Sequence, residues 1–134
     1  VISAQRPNVA FQSQTRAGIT ELVLTRNAPE QSHLLLPMVA HLSQSHPDRW
    51  VTWVNPGAID RQTLEHYGVN TKRIRLIHAA NPRDVRWIAW EAMATGTSHT
   101  VIAAPGKLTR KDVQLLEEAA QRGLCQGLLL SLRH

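Results

Sequence analysis

Cysteine is nearly missing from this chain of 134 residues, where Cys125 stands alone. That excludes an internal disulfide framework and a thiolate cluster for structural zinc, and it fits a reducing compartment. Aromatic residues other than tryptophan are as scarce, with one Phe and one Tyr. No apolar stretch approaches the roughly eighteen residues of a membrane-spanning helix, so a membrane protein is not expected. Val1 to Arg16 is polar and mixed and lacks the basic-then-apolar order of a secretory signal, which leaves the cytoplasm as the expected location. Dense runs of one charge are also lacking. The arginines are spread from Arg6 to Arg133, the pattern of a solvated surface rather than of a phosphate track.

What is present suits one soluble domain. The length is enough to bury a core without metal or disulfide staples, and 43% apolar with 19% charged residues lies near the globular average. Fifteen Lys and Arg against ten Asp and Glu give a formal charge of +5, which favours an acidic partner without choosing between nucleic acid and protein.

Residues 1–17, rich in Gln, Ser, Asn and Arg, read as a mobile arm, and the folded domain is expected over 18–134. Ile19 to Thr25 is β-branched enough for a strand, stopped by Asn27-Ala28-Pro29. Ser32 to His46 carries the broad apolar face of a helix that either starts near Pro37 or bends there. Trp50 to Asn55 is apolar on both faces, as a central parallel strand should be. Asp60 caps a short helix through Tyr67, and Arg73 to Ala79 is the next strand. Asn81 and Pro82 open a helix that runs to Gly96, and His99 to Ala104 follows as a strand. Thr109 and Asp112 start a helix that Gly123 ends, and Gly127 to Leu132 is the last strand. About five strands alternating with four helices predict an α/β fold, a parallel or mostly parallel sheet covered on both faces.

The loops after the strands, where such sheets usually bind ligands, carry little chemistry. Gly106-Lys107 follows a strand, but a phosphate-binding loop needs glycine where Val101 sits and Ser or Thr where Leu108 sits. Seven histidines never form the paired spacing of a zinc site, and Cys125 has no base paired with it in the sequence. Asp60, Glu65 and Glu91 fit as caps and solvated helix positions. No cofactor, metal or catalytic residue is expected, and the chain does not read as an enzyme. The four tryptophans fit core packing first, although Trp is also enriched at binding hot spots. Trp87 and Trp90 share a helix face, while Trp50 and Trp53 lie on opposite faces of their strand.

Gly18-Ile19-Thr20-Glu21-Leu22-Val23, Leu34-Leu35-Leu36-Pro37, Arg49-Trp50-Val51-Thr52-Trp53-Val54 and Gly127-Leu128-Leu129-Leu130 together resemble the SulA family. Its members are bacterial cell-division inhibitors made in the SOS response to DNA damage, and the likeness spans Gly18 to Leu132 in the family's order. The resemblance implies a RecA-like fold without the nucleotide-binding loop. It also implies binding of the tubulin-like protein FtsZ on its subunit-joining face, which blocks septation, polymerisation and the GTP hydrolysis that depends on it.

The resemblance carries partner-binding roles onto Arg49, Val54 and Lys72, with Arg49 paired to a carboxylate, and Trp50 joins them as a contact candidate because tryptophan is enriched at binding hot spots. The family's intervening aromatic contact falls on Leu64, or on Thr63 in the other alignment. The plain alternatives stay open: Arg49 begins a strand, Val54 and Leu64 are core, and Lys72 is solvated. Family members carry a tail read by the Lon protease as a degradation signal. This chain stops at His134 without it, so Lon is not inferred as a partner. A homodimer is expected from the edge strands that such a sheet exposes. The competing class is a nucleic-acid-binding module of the same fold, which predicts a basic groove and steep salt dependence.

Overall fold

The computed structural model describes residues 18–25 and 31–133; the expected arm over 1–17, the Asn27-Ala28-Pro29 stop and His134 lie outside the described residues. The described elements are β1 (Gly18–Thr25), α1 (Gln31–Ser43), β2 (Trp50–Val54), α2 (Arg61–His66) and β3 (Ile74–Ile77). A 3-10 turn (Pro82–Asp84) then runs into α3 (Val85–Ala94), followed by β4 (Ser98–Ala103), α4 (Arg110–Arg122) and β5 (Gln126–Arg133).

Short polar side chains open the helices by serving N–H groups that have no partner within the helix. The Asp60 carboxylate accepts from the Thr63 N–H at 2.8 Å. Asn81 accepts from the Arg83 N–H at 3.1 Å, capping the 3-10 turn that leads into α3. At α4 the Thr109 hydroxyl and the Asp112 carboxylate exchange bonds with each other's backbone N–H, both at 3.0 Å, the reciprocal box expected from their spacing. Helix α1 runs through Pro37 instead of starting there, and it ends at Ser43, short of His46. Pro37 is exposed.

All four strand pairings are parallel and the order is β1-β5-β4-β2-β3, so β1 and β3 form the edges. The chain leaves one edge, builds the far side with β2 and β3, then returns to fill the middle. Alternation along the strands divides the core into two layers. Val51, Trp53, Ile102 and Leu128 pack with Leu36 and Val39 of α1 and Leu64 of α2. Val54, Val101, Ala103 and Leu129 pack with Ala89 and Met93 of α3 and Leu116 and Ala120 of α4. Helices therefore cover both faces, as expected.

Every residue of β4 is buried, although its first three are Ser98, His99 and Thr100. Buried polar groups need partners, and supplying them draws side chains to the end of the sheet where the strands begin. There the pairing of β2 with β4 shifts register, from Trp50 opposite Ser98 to Val51 opposite Thr100. His99 is the extra residue.

Candidate partner-binding surface

Arg49 precedes β2 by one residue and reaches across the sheet. Its Nη2 donates to the carbonyls of Ser98, Gly123 and Leu124, each at 2.7 Å. One half-buried guanidinium thereby ties the start of β4 to the turn that joins α4 to β5. Its Nε is buried and has no hydrogen-bond partner among the described residues. Beside it the Arg75 guanidinium lies 5.2 Å from the centre of the half-buried Trp50 ring and donates to the hydroxyls of Thr97 at 2.9 Å and Ser98 at 3.0 Å. Thr52 and Ser98 share a hydroxyl–hydroxyl bond of 2.7 Å. Ser98 is thus served by Arg49, Thr52 and Arg75, whereas the Nε2 of His99 is buried with no partner among the described residues.

The five residues expected to bind a partner do not gather into one patch. Arg49 and Trp50 lie at the strand-start end, and Lys72 is exposed in the turn before β3, its N–H donating to the Asn70 side chain at 3.1 Å. Val54 is 1% exposed and Leu64 2% exposed, in opposite core layers. Thr63, the other alignment for Leu64, is half-buried on α2. A carboxylate partner for Arg49 would have to compete with three carbonyls that already hold its Nη2.

The tryptophans divide. Trp53 is 2% exposed and belongs to the core, whereas Trp87 is 59% exposed and stacks on Trp90 with ring centres 5.1 Å apart. The Arg122 guanidinium lies 5.9 Å from the Trp90 ring. Spacing alone placed Trp87 and Trp90 on one face, and only the neighbouring helix shows that this face is half in water.

Helix α4 ends at Gly123 as expected, but the glycine is not the left-handed residue of the ending. Gly123 caps the helix directly after Arg122, with a φ of −91° that is open to any residue. The left-handed residue is Leu124, with φ of 51°. The Leu124 N–H bonds to the Gln121 carbonyl at 3.3 Å and the Cys125 N–H to that of Ala120 at 2.8 Å, the pair of bonds that defines a Schellman ending. Gly123 is required for a different reason: a β-carbon there would run into the Met93 carbonyl of α3. Leu124 is 73% exposed and is the surface residue that sequence reasoning missed. The signal was present in Gly123-Leu124-Cys125, one position past the glycine.

Two buried titratable groups flank the Arg49 contacts. His99 is held down to about 4 by burial, with the charges of His46 and Arg49 acting in the same direction. Its Nδ1 lies 2.9 Å from the Thr100 hydroxyl and its ring centre 4.4 Å from that of His46. Burial pushes the Cys125 thiol up to about 12 against the pull of the Arg49 charge, so a thiolate does not form near neutral pH. Among the described residues no group of three or more His, Cys, Asp or Glu could hold a metal ion, and no helix is long and apolar enough to cross a membrane.

A sequence profile of the family described as cell division inhibitor SulA matches residues 17–127. Cell division inhibitor SulA of Pseudomonas aeruginosa is 32% identical over 117 residues, which cover 87% of this chain and 73% of that one. The protein of the same name from Pectobacterium atrosepticum is 29% identical over 129 residues, covering 95% of this chain and 73% of its own length. The crystal structure of SulA from Pseudomonas aeruginosa superposes with a TM-score of 0.74 at 32% identity, over 86% of this chain and 98% of that chain. These relatives are named as inhibitors rather than enzymes. With the profile spanning most of the sheet and its helices, the chain belongs to the SulA family of cell division inhibitors.

Proposed function

We propose that this chain binds FtsZ on the face with which it joins the next subunit, and so blocks both polymerisation and the GTP hydrolysis that polymerisation supports. The observation that carries the reading is the family match over residues 17–127. Inhibition on this reading is sequestration in the cytoplasm, with no bond made or broken by the inhibitor.

The contact surface is assigned to the strand-start end and the β2–α2–β3 segment. Trp50 and Lys72 offer a half-buried ring and an exposed charge there. Val54 and Leu64 act from beneath, holding β2 and α2 in place, and Arg49 fixes the adjoining turn. An interface of roughly 800 Å² per partner, with an apolar centre and a polar rim, is the expected scale. A homodimer formed through an edge strand, β1 or β3, is part of the proposal.

The test is GTP hydrolysis by FtsZ of the same organism, with this chain titrated from well below to above equal concentration. Hydrolysis should fall away near equal concentration, and Lys72→Glu should shift the titration to higher concentration with unchanged thermal stability. No effect at several-fold excess would overturn the reading and turn attention to nucleic-acid binding at low salt.

A further inference from the structure

The turn after α4 devotes much local structure to one outward-facing apolar side chain. Leu124 is 73% exposed and sits at φ of 51°, a backbone region in which a β-carbon is strained. Glycine or asparagine is the usual occupant of that position in a Schellman ending. Burial of the leucine does not offset the strain, because the side chain stands in solvent.

The turn cannot relax out of this conformation. Gly123 is pressed against the Met93 carbonyl, Cys125 is buried with its N–H bonded to Ala120, and Arg49 grips the carbonyls of both Gly123 and Leu124. Strained residues persist where their surroundings over-determine them, and such places cluster at contact and switch sites. An apolar tip on a rigid turn loses little entropy when a partner covers it, which is what a good contact residue requires.

We propose that Leu124 is an apolar contact residue for the protein partner and that Arg49 is the positioning residue that presents it. This rests on the reading of the chain as an FtsZ-binding inhibitor and adds a contact from the α4–β5 turn, outside the β2–α2–β3 segment. It gives Arg49 a part in binding that needs no carboxylate partner: the guanidinium acts through the two carbonyls it holds. The partner should offer a shallow apolar recess sized for a leucine tip.

The test separates binding from folding. Leu124→Asn keeps a side chain that tolerates the left-handed region, so its melting temperature should equal or exceed that of the unsubstituted chain by about 3 °C. The concentration that halves FtsZ GTP hydrolysis should nevertheless rise about tenfold. Leu124→Met, which keeps the apolar reach, should inhibit within about twofold of the unsubstituted chain. Arg49→Ala should weaken inhibition when leucine occupies position 124 and add little in the Leu124→Asn background, measured where every variant is folded.

If the unsubstituted chain inhibits and Leu124→Asn inhibits equally well, the inference is overturned while the functional reading stands. Fully additive effects of the two substitutions would overturn the positioning role of Arg49. If the unsubstituted chain fails to inhibit, the functional reading falls first and this inference with it.

Discussion

Replacing Arg49 with alanine should destabilise the fold before it says anything about a partner. The Nη2 donates to three carbonyls, and since that nitrogen carries only two hydrogens, the three acceptors share about two full bonds. Hydrogen bonds to a charged donor are worth about 1.5–3 kcal/mol each. Two of them would give 3–6 kcal/mol, but the guanidinium is half-buried and water can reach the Leu124 carbonyl once the side chain is gone. Relief of the buried Nε, which has no partner among the described residues, offsets part of the loss as well. A net cost of about 2–3 kcal/mol remains, which for a chain of this size lowers the melting temperature by about 6–12 °C.

Thermal and urea unfolding followed by circular dichroism measure this directly. Arg49→Lys should recover roughly half the loss, because an ammonium keeps the charge but cannot span the same acceptors. An Arg49→Ala chain within about 0.5 kcal/mol of the unsubstituted protein would refute the bridging role drawn from these distances. The consequence for function is practical. Lost inhibition in Arg49→Ala cannot be credited to a broken contact until the folded fraction is known.

Other substitutions separate packing from surface. Gly123→Ala sets a β-carbon against the Met93 backbone carbonyl and should cost more than about 3 kcal/mol, read as a collapse in the urea midpoint. Trp53→Ala should cost about 3–5 kcal/mol, whereas Trp87→Ala should stay within about 1 kcal/mol, and equal effects in urea unfolding would contradict the burial of these two rings. His99 supplies a pH dependence: its folded value of about 4 lies below the ordinary 6.5, so stability is unaffected by this group above pH 6.5. As pH falls from about 6.5 to about 4, the unfolded chain takes up a proton that the folded chain refuses, and stability drops by up to about 3 kcal/mol, with no further loss from this group below that. His99→Gln should flatten that slope in urea midpoints measured across the range, and an unchanged slope would remove His99 as its source.

Much of the fold was legible because local chemistry marks the element ends. Asp60, Asn81 and the Thr109–Asp112 pair cap where their spacing said they would, and the apolar strand Trp50–Val54 lies inside the sheet. The strand order was not legible, since which strands pair depends on packing between helices rather than on any one segment. The site was legible in name more than in geometry. Arg49 reads locally as the start of a strand, and nothing near it in the chain shows that its guanidinium meets carbonyls 49, 74 and 75 residues away. Gly123 looked like a turn residue, but the reason for it lies on α3. Val54 and Leu64 carry no local mark that separates a core apolar residue from an exposed one, and the structure buries both.

Sedimentation velocity of FtsZ with GTP, alone and with this chain at equal concentration, tests the central claim most directly. Binding at the subunit-joining face predicts that the fast-sedimenting polymer disappears and that FtsZ moves with this chain as a small discrete complex. Undiminished polymer, with this chain sedimenting separately at several-fold excess, would contradict it.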